Sequence, residues 1–186
     1  MGRQAPAAPD RAAGGVGLLT LASCPYPALN LHPIWTLLEV YCVKLEEHYR
    51  ALHGERYVDW RRGRSTFLPG IAGEVLVCLL TGLEGNFRLL KHGDGGSDVA
   101  GMNIKACTWW PPDLMRPKKE TRPWPRWLGL THIDLREHWG CWVGGVQAWD
   151  LWKDGRVVTI NEKAGPSYCL DAETVRQRYL AYGGTL

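Results

Sequence analysis

Asp98, Asn103 and Lys105 flank an Ala100-Gly101 pair, and their spacing suits a hairpin. With Ala100-Gly101 as a two-residue turn, Val99 faces Met102 and Asp98 faces Asn103, at cross-strand Cβ separations of roughly 4.5 to 5.5 Å. Asn103 and Lys105 lie two apart on one strand and share a face, while Met102, Ile104 and Ala106 point the other way into a core. A carboxylate, an amide oxygen and an ammonium group therefore converge. The two oxygens can hold a hard cation such as Mg²⁺, and the lysine can orient or deprotonate an attacking water. That is equipment for phosphodiester hydrolysis, in which cation and lysine also offset the charge that builds on the phosphate. A polar strand face with a surface salt bridge would show the same residues.

The surrounding pattern supplies elements to position this hairpin. Ile34, Leu37, Leu38, Tyr41, Leu45, Tyr49 and Leu52 recur at three- and four-residue steps and predict an amphipathic helix from Pro33 to about His53. Pro69-Gly70 opens a second helix, Ile71 to about Thr81, apolar on every face and so expected to be buried. Its one charge is Glu74, which the helix dipole alone could explain. Phe87 to Lys91 reads as a short strand and Gly93 to Gly96 as a turn; Ser97 to Val99 and Met102 to about Trp109 form the hairpin strands. Trp139 to Trp149 and Leu151 to Ile160 are expected strands, the second broken at Asp154-Gly155, and a helix from Ala172 to Tyr182 has Asp171 as its N-cap. The Ala-, Gly- and Pro-rich residues 1–30 read as a flexible arm ahead of a single domain over 31–186.

Pro111 to Trp127 carries Pro111, Pro112, Pro117, Pro123 and Pro125 and is expected to be a loop. It interleaves Arg116, Lys118, Lys119, Arg122 and Arg126 with Trp124 and Trp127, a composition suited to phosphate contact and base stacking. A solvated loop whose tryptophans cap the core has the same composition. Arg61, Arg62 and Arg64 beside Trp60 form a weaker basic patch.

The run from Gly93 to Lys105, with Asp94, Asp98, Val99, Ile104 and Lys105 in order, resembles the Gly-Asp-Gly-x-Asp-Val stretch leading into x-Ile-Lys of the PD-(D/E)XK nucleases. Gly73-Glu74 is similar to the Gly-Glu motif on that family's core helix. The resemblance covers Pro69 to Cys107 and implies a restriction-endonuclease-like α/β fold, a central mixed β-sheet of four or five strands flanked by helices. It implies Asp98, Asn103, the Ile104 carbonyl and Glu74 as metal ligands for Mg²⁺ or Mn²⁺, Asp98, Lys105 and Glu74 as the catalytic set, and DNA as substrate. One departure matters: the D/E position is Asn103, whose amide oxygen ligates without negative charge, so the metal should bind more weakly. Asp94 or Glu74 could compensate, or the fold could survive as a cleavage-dead module binding nucleic acid or a protein in a defence or counter-defence complex. A plain interaction protein presenting its tryptophans to a partner is a third reading.

Composition constrains these readings. The 186 residues carry 22 Lys plus Arg against 19 Asp plus Glu, a net charge of +3, which is too small for DNA binding through bulk electrostatics. A nucleic-acid role must rest on a site. Ten Trp against two Phe is unusual, and Trp109, Trp110, Trp124 and Trp127 bracket or lie in the basic loop. Cys24, Cys42, Cys78, Cys107, Cys141 and Cys169 match no disulfide framework or zinc ribbon and read as reduced, mostly buried thiols. Zinc built from His132, His138, Cys141 and Cys107 would fit no standard spacing, and Cys107, whose thiol pKa could be lowered so near Lys105, lacks a general base. No run approaches the ~18 apolar residues of a membrane span, and the expected location is cytoplasmic, with a homodimer or a protein partner left open.

Overall fold

The computed structural model describes residues 19–53, 67–83, 98–117, 126–159 and 165–185. Within them the chain is α/β. A mixed four-stranded sheet has the order β1 (Ala28–Asn30), β5 (Trp139–Gln147), β4 (Trp127–Asp134) and β2 (Met102–Cys107), antiparallel except for the parallel β2–β4 pair. A second, antiparallel sheet has the order β3 (Asp113–Pro117), β7 (Pro166–Asp171) and β6 (Arg156–Thr159). Four α-helices join them: α1 (His32–His53), α2 (Leu68–Thr81), α3 (Ala148–Asp154) and α4 (Ala172–Ala181).

Two layers of packing sandwich the mixed sheet. On one face α2 lays Leu76 and Val77 onto Ile104, Ile133 and Trp142, and α1 packs outside it through Trp35, Leu38 and Cys42. On the other face Leu128, Leu130, Val143 and Val146 meet Leu114 of β3, Leu151 of α3, Leu170 of β7 and Val175 of α4. Gly73 sets how closely α2 can approach: a Cβ there would lie 2.5 Å from Thr131 Oγ1 and 3.2 Å from Ala106 Cβ. A methyl at that position would wedge the helix off the sheet.

The helices of the sequence reading are present at 32–53, 68–81 and 172–181, and Asp171 caps α4 by accepting from the Thr174 N–H at 2.8 Å. Their faces differ in detail. The buried stripe of α1 is Trp35, Leu38, Cys42 and Leu45, continuing the buried Leu31 just before it, which turns Leu37 out to solvent; α2 likewise exposes Leu79, so it is not buried on every side. The arm expected over 1–30 ends inside the fold, because β1 pairs with β5 from Ala28 to Asn30.

Three other expectations are corrected. Within the Pro-rich segment read as a loop, Asp113–Pro117 forms β3. It tolerates Pro117 because it is an edge strand ending there, where a missing N–H costs no ladder bond on the open side. Leu151 and the residues before it form α3, not a strand: the Gln147 N–H donates to Asp150 Oδ2 at 3.2 Å at the helix start, and Leu151 turns into the core. β4 and β7 were not anticipated, since β4 is buried on both faces from Leu128 to Ile133 and shows no alternation for a pattern reading to catch. The strand expected at Phe87 to Lys91 and the Gly93–Gly96 turn lie outside the described residues.

Candidate functional site

The Ala100-Gly101 hairpin forms. Ala100 and Gly101 take φ values of 46° and 84°, the left-handed pair that a tight two-residue hairpin turn demands. Val99 and Met102 bridge across it: the Met102 N–H donates to the Val99 carbonyl at 2.8 Å, and the Val99 and Asp98 N–H groups donate to the Met102 carbonyl at 3.2 and 2.8 Å. Glycine carries its positive φ without strain, whereas Ala100 does so at a cost of about 1 to 3 kcal/mol that the buried Val99 helps to offset.

Asp98 therefore sits opposite Asn103, and the two side chains touch. Asn103 Nδ2 donates to Asp98 Oδ2 at 3.0 Å, and the Ile104 N–H donates to the same oxygen at 2.8 Å. Asn103 Oδ1 is buried without a hydrogen-bond partner, which is costly for an amide oxygen. In an extended strand a residue's N–H and C=O project to the same edge. The Ile104 carbonyl thus faces the outer edge of β2, the side on which Asp98 lies.

Lys105 follows on the face that carries Asn103. Its strand partner is Leu130, and its own carbonyl points inward to β4, where Thr131 Oγ1 donates to it at 3.5 Å. Ile104 is buried on the opposite face, against Val77 and Trp142. Glu74 is half-buried on α2, one residue past the close crossing at Gly73, so its helix covers the Ile104 and Ala106 face and not the Asn103 and Lys105 face. The structure joins Asp98 to Asn103 directly and sets Lys105 on the same face of β2 as Asn103, whereas Glu74 lies on α2, across the opposite face of the strand. Asp94 lies outside the described residues.

A divalent cation is testable against these donors. Among the described residues no three or more His, Cys, Asp and Glu side chains form a group able to hold a metal ion. The set on offer is instead oxygen-based and mixed: the Asp98 carboxylate, the orphaned Asn103 Oδ1 and the Ile104 carbonyl. Hard cations accept such a set, and the unsatisfied Oδ1 is the feature that a cation would relieve. The residues fit Mg²⁺ or Mn²⁺ as a weak site with one full negative charge.

The basic segment is divided by the structure. Lys118, Lys119, Arg122 and Trp124 lie outside the described residues, as do Arg61, Arg62, Arg64 and Trp60. Arg116 is corrected: it lies in β3, only 4% exposed, because the strand turns it inward opposite Tyr168, so it is no part of an exposed clamp. Arg126 is exposed, with its carbonyl accepting from the Ala148 N–H at 3.0 Å. Trp127 begins β4, not a loop, and presents its face at 87° to Tyr182 with ring centroids 5.2 Å apart.

The cysteines and histidines occupy separate settings. Burial pushes the Cys107 thiol up to about 11, the reverse of the activation its proximity to Lys105 could suggest. His132 is buried between the edges of Trp110 and Trp139, and desolvation lowers its pKa. His138 stacks on Trp35 at 4.3 Å, and its Nδ1 lies 3.2 Å from Nδ1 of His32. One pair carries no mark in the spacing of its residues: a hydrogen bond from Cys141 draws the Cys24 thiol down to about 7 and raises that of Cys141. They lie far apart in the chain, and the pairing of Ala28 with Cys141 brings the segment around Cys24 beside β5.

Compared with protein-family models, with curated proteins and with solved structures, the chain matches none. No helix among the described residues is long and apolar enough to cross a membrane.

Proposed function

We propose that this chain is a divalent-metal-dependent DNA endonuclease of the PD-(D/E)XK type on a restriction-endonuclease-like fold, with asparagine at the second ligand position. One observation carries the reading: the Asp98 carboxylate is held between the Asn103 amide and the Ile104 N–H, at the edge of the strand face that also bears Lys105. Asp98, Asn103 Oδ1 and the Ile104 carbonyl would hold Mg²⁺ or Mn²⁺, with Glu74 supporting from α2. When bound, that ion supplies Lewis-acid polarisation of the phosphate and acidifies a water. Lys105 donates hydrogen bonds to the attacking water or the phosphate oxygen beside it, fixing its line of approach and offsetting charge in the transition state. The Ile104 N–H and Asn103 amide fix the carboxylate's orientation, so it need not reorganise as the reaction proceeds. Arg126, Trp127, Lys118, Lys119, Arg122 and Trp124 are the candidate contacts for the DNA backbone.

The test is incubation of the purified chain with supercoiled plasmid and with single-stranded DNA in Mg²⁺ or Mn²⁺. Nicking that disappears in Asp98→Ala and Lys105→Ala supports the assignment, and equal activity in both variants sinks it. A second reading has its own observation. The Asn103 amide already satisfies Asp98 by a hydrogen bond, so the pair is stable without a cation. On that reading the fold is a cleavage-dead module that binds nucleic acid or a protein partner, and calorimetry would detect no Mg²⁺ binding in either the wild type or Asn103→Asp.

A further inference from the structure

The cysteines differ in what can reach them. Cys42, Cys107, Cys141 and Cys169 are buried, whereas Cys24 and Cys78 are half-buried, so a solute meets these two first. Their surroundings are opposite in effect. Burial and then the Glu74 carboxylate raise the Cys78 thiol, which keeps it protonated. The Cys24 sulfur instead accepts hydrogen bonds from the Cys141 S–H and from the Tyr26 N–H two residues on, and both favour its thiolate.

The fold builds this contact between the two thiols. Ala28 is the register partner of Cys141, and the Trp142 N–H donates to the Pro27 carbonyl at 2.9 Å, which lays the chain ahead of β1 along β5. Cys141 is held in its strand between Ala28 on one side and His132 on the other. Cys24 follows a short 3₁₀ turn, Leu21–Ser23, and belongs to no strand. A disulfide needs the sulfurs to close from hydrogen-bond contact to about 2.05 Å, and rotation of the Cys24 side chain on that unpaired backbone can supply the movement. An accessible thiolate thus has a second thiol directly behind it.

We propose that Cys24 is an oxidation site for hydroperoxides, with Cys141 as the thiol that resolves it to a disulfide. The Cys24 thiolate attacks the terminal oxygen of the hydroperoxide, the O–O bond breaks, and the departing alkoxide or hydroxide takes up the proton that Cys24 had released to solvent. Cys24 is then a sulfenic acid. The Cys141 sulfur attacks the Cys24 sulfur, the S–S bond forms as the S–O bond breaks, and the hydroxide leaves as water with the Cys141 proton. Two thiols and one hydroperoxide yield one disulfide, one alcohol or water from the leaving group, and one further water. The disulfide joins the segment ahead of β1 to β5, and a thiol reductant restores the pair. This chemistry uses neither Asp98 nor Lys105 and stands apart from the nuclease reading.

The test is treatment of the full, reduced chain with hydrogen peroxide at pH 7.5, followed by alkylation and peptide mapping by mass spectrometry without reduction. The expected product is a Cys24–Cys141 disulfide, lost again in dithiothreitol, in a chain that still runs as a monomer on a non-reducing denaturing gel. Cys24 should be consumed at least about threefold faster than Cys78: at this pH its thiolate fraction is far larger, and the weaker nucleophilicity of a lower-pKa thiolate takes back only part of that gain. In Cys141→Ser the Cys24 sulfenic acid has no resolving thiol and should be captured by dimedone, and in Cys24→Ser peroxide should leave Cys141 reduced. Four results would each overturn the proposal: Cys24 staying reduced in the wild type, its passing to sulfinic acid unpaired, its pairing with another cysteine, or its loss at the same rate as Cys78. Oxidation of Cys141 in Cys24→Ser at the wild-type rate would do so as well. The wild-type map decides the matter even where the buried Cys141→Ser change destabilises the chain.

Discussion

Replacing Asn103 with aspartate restores the second carboxylate and sets it against Asp98. In the structure Asn103 Nδ2 donates to Asp98 Oδ2 at 3.0 Å, and a carboxylate there has no proton to give. Losing a hydrogen bond to a charged acceptor costs about 1.5 to 3 kcal/mol. Two unit charges about 4 Å apart repel by about 4 kcal/mol at an effective dielectric constant of 20, and the half-buried position lets solvent and rotation of one carboxylate relieve much of that. The net expectation for Asn103→Asp in EDTA is a destabilisation of about 2 to 4 kcal/mol in urea melts. The loss should fade as pH falls through a range above the ordinary carboxylate value. One carboxyl of the pair, its pKa raised by its neighbour, then takes a proton and donates to the other. A divalent cation should reverse the loss at neutral pH, because an ion that binds only the folded state stabilises by about 2.7 kcal/mol at a hundred times its Kd. The assay is a urea melt of wild type and Asn103→Asp in EDTA and in saturating Mn²⁺. A variant as stable as wild type in EDTA would refute the contact, and a destabilised variant that Mn²⁺ leaves unchanged would refute the cation site.

Three more expectations follow from the packing and the titrating groups. Gly73→Ala should cost about 1 to 3 kcal/mol in the same melts despite alanine's better helix propensity, because its Cβ would press on Thr131 Oγ1 and Ala106 Cβ; a neutral or stabilising effect would mean that α2 can lift off β2 freely. Iodoacetamide at pH 7.5 should alkylate Cys24 well before the buried Cys107 and Cys141, by mass mapping, and Cys141→Ser should slow the Cys24 reaction by removing the thiol that lowers it. The bond to Asp150 raises the Tyr182 pKa above its usual range near 10, so it stabilises the fold below that range and fades as pH rises through the raised value. Tyr182→Phe should therefore cost about 1 kcal/mol at neutral pH and no more than wild type loses at strongly alkaline pH, read from melts across that range.

The parts of the molecule that were legible are those set by local rules. Ala100-Gly101 between two extended runs announces its own turn, and the strand period of two then dictates that Asp98 meets Asn103 and that Lys105 shares their face. The helices followed from apolar spacing and from Asp171 as a cap, although apolar residues alone did not say which of Leu37 and Leu38 turns inward. What stayed hidden depends on distant partners. Asp113–Pro117 becomes a strand because β7 offers it an edge, and Arg116 is buried with it. Ala148–Asp154 reads as strand by its tryptophans yet is a helix in which Trp149 and Trp152 meet at 4.6 Å on the exposed side. The cavity that Trp127, Tyr179 and Tyr182 line, and the Cys24 and Cys141 pair, are likewise assembled from residues far apart in the chain, which no local spacing could reveal.

The tryptophan excess divides the same way. Trp35, Trp139 and Trp142 are core, Trp127 walls the cavity by the hairpin, and Trp149 and Trp152 are exposed on α3.

The central claim is that Asp98, Asn103 and the Ile104 carbonyl hold a divalent cation, and titration of Mn²⁺ followed by electron paramagnetic resonance tests it most directly. The signal of free Mn²⁺ should fall to one equivalent of wild-type protein, more steeply for Asn103→Asp and not at all for Asp98→Ala. A free-ion signal that is the same for all three proteins would contradict the account.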